Sequence, residues 1–136
     1  MFTNKIAIII RNDLQDWQKL NVAAFLAGSV AIKFPDTHGR AFVTANESEY
    51  LPFFRQPIFI YAASDEIQIK RSFNRAKERA LNIGIYTRPL FTTKNEEANL
   101  AEIAQYRDDE QDLAGIVIYG ESKKVDKAVK DLKFHL

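Results

Sequence analysis

Residues 5–10, KIAIII, form an unbroken, mostly β-branched run, the pattern of a strand covered on both faces. Polarity then switches abruptly. Arg11, Asn12, Asp13, Gln15, Asp16, Gln18, Lys19 and Asn21 crowd the next stretch, broken only by Leu14, Trp17 and Leu20. The following eleven residues, VAAFLAGSVAI, carry no charge at all. This pattern predicts a helix capped by Asn12 or Asp13 and running to about Ile32, with Asp16 near its positive end. Its second half is apolar nearly all round, so packing on both sides is expected.

Further along, KFPDTHGR reads as a loop, AFVTA (41–45) as a short strand and NES as a turn. QPIFIYAA (56–63) is a second buried strand, with Pro57 at its start, where a missing N–H is tolerated. Ser64 or Asp65 caps a helix expected over 65–82, with Ile69, Phe73, Ala76 and Ala80 as its core stripe. IGIYTR (83–88) is a strand, and Asn95 caps a short helix over 96–106. LAGIVIYG (113–120) is another strand, followed by a helix capped by Ser122 and the extended end KFHL. Strands alternating with helices predict one α/β domain over 1–136, an α/β sandwich with a mainly parallel sheet.

Composition narrows the chemistry. The net charge of +1 gives no general pull toward nucleic acid or membrane, so such binding needs a local patch. The absence of cysteine excludes disulfides, thiolate catalysis and zinc–sulfur sites, and two histidines do not make a multi-histidine metal centre. No metal or cofactor is expected. No apolar run approaches the ~20 residues that span a bilayer, and the N-terminus lacks a leader pattern, so the expected address is cytoplasmic. Gly-rich phosphate loops, G-x-S-x-G and H-E-x-x-H are all missing.

Ligands of open α/β sheets sit beyond strand carboxyl ends, near helix starts. Two stretches belong there: RNDLQDWQK after the first strand and RPLFTTKN after the strand at 83–88. Lys19 is the sharpest residue. Its neighbours three, four and seven positions on are Val22, Ala23 and Leu26, so its ammonium must snorkel, pair with Asp16 or meet a ligand. Trp17 is either a packing anchor or a stacking surface for a ring. Thr92, Thr93 and Asn95 either close turns and caps or bond a ligand oxygen. The stripes Arg71, Arg75, Arg79 and Lys123, Lys127, Lys130 read as solvated faces rather than phosphate contacts.

The stretches KIAIIIRNDLQDWQKLNVAAFLAG, QPIFIYAA, IYTRPLFTTKNEEANLAEIA and VDKAVKDLKFHL resemble small bacterial proteins of a domain family of unknown function. That family is similar in fold to type II peptidyl-tRNA hydrolase. The resemblance implies a hydrolase-like three-layer α/β/α fold with a mixed sheet of about four strands. It aligns Arg11, Asp13 and Leu14 with the hydrolase's V-R-x-D-L, Lys19 with the lysine of its site and Thr92 with its threonine. Lys19 and Thr92 are thereby the candidate catalytic pair. Arg88 stands where the hydrolase carries its aspartate. An anion becomes a cation, which removes the acceptor that would orient a water or a lysine. Leu90 replaces a glycine.

Catalysis is therefore left open. The favoured expectation is a binding or regulatory domain holding a small anionic or nucleotide-like ligand at a Lys19–Arg88–Thr92 edge. Arg11, Asp13, Trp17, Gln18, Arg88, Thr93 and Asn95 would be its ligand contacts. An ester hydrolase acting on peptidyl-tRNA is the alternative, with tRNA a less favoured partner. A homo-oligomer pairing through Phe53 and Phe54 is the third reading.

Overall fold

The computed structural model describes residues 2–135. The chain runs β1 (Asn4–Arg11), α1 (Asp16–Lys33), β2 (Phe42–Val43), β3 (Glu49–Tyr50), β4 (Ile58–Ala63), α2 (Glu66–Glu78), β5 (Asn82–Thr87), α3 (Glu96–Ala104), β6 (Leu113–Glu121), α4 (Ser122–Ala128) and β7 (Lys133–Phe134). Five strands make one sheet in the order β5-β6-β1-β4-β7, and β2 with β3 forms a separate hairpin. The expected AFVTA strand is therefore real but lies outside the main sheet.

The expectation of a mainly parallel sheet is corrected. Only β1 and β4 run parallel, in register from Ile6↔Ile58 to Arg11↔Ala63. The β1–β6, β5–β6 and β4–β7 pairs are antiparallel. The misreading has a simple cause. Residues 113–119 of β6 are all buried because the strand is central and covered on both faces, whatever its direction.

Side chains of β1 alternate between two cores. Ile6, Ile8 and Ile10 pack under Val22, Leu26 and Val30 of α1. Ala7 and Ile9 face Ile69, Phe73 and Ala76 of α2 and Val125 and Ala128 of α4. Gly115 lets α1 settle this close. A Cβ there would lie 2.5 Å from Val22 Cγ1 and 3.1 Å from the Ile9 carbonyl oxygen.

Several helical expectations change: Glu121 rather than Ser122 is the N-cap residue of α4, α3 ends at Ala104 rather than 106, and α1 and α2 differ as follows. Helix α1 starts later than expected: Gln15, not Asn12 or Asp13, is its N-cap residue, and its backbone N–H donates to Gln18 Oε1 at 3.0 Å. Helix α2 stops at Glu78, short of 82. Ala80 takes a left-handed φ of 52°, and Leu81 N–H closes on the Ala76 carbonyl at 3.0 Å, the usual geometry of a helix end. Packing on both sides of α1 is not found either. Val22, Leu26 and Val30 are buried, but Phe25 is 63% and Ile32 87% exposed. Among the described residues, no helix is long and apolar enough to cross a membrane.

Candidate functional site

Because β5 opposes β6 and β6 opposes β1, β5 runs in the same direction as β1. The carboxyl ends of β1, β4 and β5, at Arg11, Ala63 and Thr87, thus share one sheet edge. Beyond that edge the chain from β1 turns onto one face as α1, and the chain from β4 turns onto the other as α2. Neighbouring parallel strands whose helices diverge leave a crevice between them, the usual ligand position in such sheets.

The predicted residues do not gather at one point. Arg11, Asp13 and Arg88 do meet. Arg11 Nη2 donates to Asp13 Oδ2 at 2.8 Å, and Arg88 Nη2 reaches both Asp13 oxygens at 3.2 Å. Arg88 Nε also lies 3.5 Å from Asp112 Oδ1. Two arginines facing two aspartates form a neutral quartet. Burial alone would raise the Asp13 carboxyl, but the hydrogen bond from Arg11 and the charges of Arg11 and Arg88 outweigh it and hold it below the usual carboxylate range. Both arginines, expected as anion holders, are thus paired with carboxylates of the chain itself.

A second group sits on the β5 side of α1. Trp17, Phe25, Tyr86, Phe91, Thr93 and Asn95 line a shallow cleft there. Its polar members are engaged locally. Trp17 Nε1 donates to Gln15 Oε1 at 2.8 Å, and the Trp17 ring meets Phe91 edge-on at 5.8 Å. Thr93 hydroxyl donates to the Leu90 carbonyl at 2.9 Å, and Asn95 caps α3 by accepting from Ala98 N–H at 2.8 Å. Thr92 hydroxyl donates to the Pro89 carbonyl at 3.0 Å and lines neither this cleft nor those around Lys19. Gln18 serves as the acceptor at the α1 start. The expected Lys19–Arg88–Thr92 edge does not form a single cleft.

Lys19 stands apart, at the crevice between β1 and β4. It continues the buried stripe of Val22, Leu26 and Val30 one turn earlier and is half-buried. Among the described residues it makes no ion pair, so of the three alternatives for its ammonium the pairing with Asp16 is not the one adopted. Two clefts adjoin at Lys19 and His135. One, of about 470 Å³, is the more polar and includes Asn12, Ser64, Gln68, Asp131 and Lys133. The other, of about 460 Å³, is mostly apolar, with Ile10, Leu20, Ala23 and Ile60, and has Asp16 at its wall. It opens because α1 covers β5, β6 and β1 and leaves the β4 side of the same face thinly covered.

Sequence reasoning missed Ser64, Gln68 and His135 as wall residues. The signal for the first two was present. AASDEIQ repeats the strand-to-helix switch of the first loop, and Asp65 accepts from Gln68 N–H at 2.8 Å while Ser64 N–H donates to Gln68 Oε1 at 2.8 Å. Those bonds fix the loop against the end of β1, where Asn12 N–H donates to the Ala63 carbonyl at 3.0 Å.

A family model described as protein of unknown function, DUF2000, matches residues 4–136. The chain belongs to the DUF2000 family. The solved structure of Atu0240, a protein of unknown function from Agrobacterium tumefaciens strain C58, is similar to this DUF2000 chain over 100% of both, with TM-score 0.95 and 31% identity. No curated protein matches. The overall fold is thus shared with that Agrobacterium protein.

Proposed function

We propose that this DUF2000 chain is a binding domain for a small anion with an apolar body, a class that includes nucleotides, held in the paired clefts at Lys19. One observation carries the reading. Lys19 projects from the core stripe of α1 and, among the described residues, forms no ion pair, at the point where a polar cleft meets an apolar one. A half-buried ammonium loses hydration and gains most from a ligand anion. Ser64 hydroxyl and the Asn12 and Gln68 amides supply hydrogen-bonding groups on the anionic side. Ile10, Ala23 and Ile60 supply the apolar wall.

Titration with AMP and with a medium-chain carboxylate, followed by backbone amide NMR, tests this. Shifts are expected at Asn12, Lys19, Ile60, Ser64 and Gln68. No shifts, or shifts centred on Thr93 and Asn95, would sink it.

Ester hydrolysis is the competing reading. It is supported by the alignment of Lys19 with the lysine of type II peptidyl-tRNA hydrolase and by His135 lining the same clefts. Arg88, where that enzyme has aspartate, is bound to Asp13 and Asp112 and offers no acceptor to a water. Peptidyl-tRNA turnover that disappears in Lys19→Ala would favour hydrolysis over binding alone.

A further inference from the structure

We infer that the outer face of α1 and the β2–β3 hairpin form a homodimer interface. The eleven residues from Val22 to Ile32 contain no charge, yet only one side of the helix is packed in the monomer. A helix that is hydrophobic all round is normally buried all round. Gly28 lies in mid-helix, and a Cβ there would have nothing within 4 Å. Glycine weakens a helix interior, so its presence without an intramolecular reason points to close approach by another chain.

The hairpin extends this face. Phe53 and Pro52 share a small groove with Ala31 of α1, and the Phe42 and Phe53 rings lie 4.8 Å apart. The segment is held firmly rather than dangling: Gly39 N–H donates to the Phe53 carbonyl at 2.8 Å, and Arg55 N–H to the Thr37 carbonyl at 2.9 Å. Phe25, Ile32, Phe42, Tyr50, Leu51 and Phe53 are each 48–87% exposed. At the areas typical of such side chains they present on the order of 800 Å² of exposed surface. That total matches the ~800 Å² each partner buries in a stable complex.

A second copy is the occupant that fits. Two-fold pairing sets each residue against the same patch, so a charged face would oppose like with like, whereas this helix face carries no charge. Crossing of the two α1 helices at Gly28 brings the backbones close, and each hairpin lengthens the contact. Neither Gly28 nor Phe53 lines the Lys19 clefts, so tests at those two positions and tests of the binding reading fail independently.

Light scattering and sedimentation of the full chain across a dilution series test it. The expected result is twice the chain mass for the wild type and the single-chain mass for Gly28→Glu and for Phe53→Ser. Both variants should keep their circular dichroism, because a side chain at Gly28 meets nothing within 4 Å and Phe53 is 73% exposed. A monomeric wild type, or a dimer that both folded variants leave intact, would overturn it. If one variant fails to fold, the other decides.

Discussion

Asp13 lies between the guanidiniums of Arg11 and Arg88, 75 residues apart in the case of Arg88. Its carboxyl is held below the usual range in the folded protein, so folding favours the charged form. The resulting stabilisation is complete above the unfolded-state pKa and is lost as pH falls through the lowered folded value. Asp13→Asn should therefore melt a few degrees lower at neutral pH, an effect kept small by solvent screening. The gap from wild type should shrink below about pH 4. Melting curves against pH check this, and a gap that stays constant on acidification would show that the carboxylate charge is not the source. The contact was not legible in the sequence, because ion pairs between distant loops leave no periodic trace. Lys19 was legible, because a cation one turn before Val22, Leu26 and Val30 breaks an otherwise apolar stripe.

At the scale of elements, Gly115 controls how closely α1 lies on β6. Gly115→Ala forces the new methyl onto Val22 and the Ile9 carbonyl, and neither a β-branched side chain nor a central strand gives easily. A loss of about 1–3 kcal/mol is expected in urea denaturation. A change below a few tenths would mean that α1 can shift outward at little cost. Most of the elements themselves could be read from apolar runs and polar breaks. Strand direction could not, since a strand buried on both faces looks the same to its sequence whichever way its neighbours run. The end of α2 was hidden for another reason. Ala80 occupies a left-handed position where glycine is the usual marker. The apolar outer face of α1 was legible as a surface needing cover, and in the described chain Phe25 and Ile32 stay 63% and 87% exposed.

For the whole molecule, the divergence of α1 and α2 from adjacent parallel strands is what creates the crevice. That topology rests on the β1–β4 pairing, which brings Ser64 and Gln68 opposite Asn12 and Lys19. The wall formed by the end of the chain, at Lys133 and His135, depends on β7 returning antiparallel to β4, which no local pattern announces. The most direct measurement is calorimetric titration of wild type and Lys19→Met with AMP and with carboxylates of increasing chain length. Binding by the wild type that tightens with apolar length and is lost in a Lys19→Met protein of unchanged melting temperature is the result predicted here. Equal binding by the two proteins, or none by the wild type, would contradict a ligand site at Lys19.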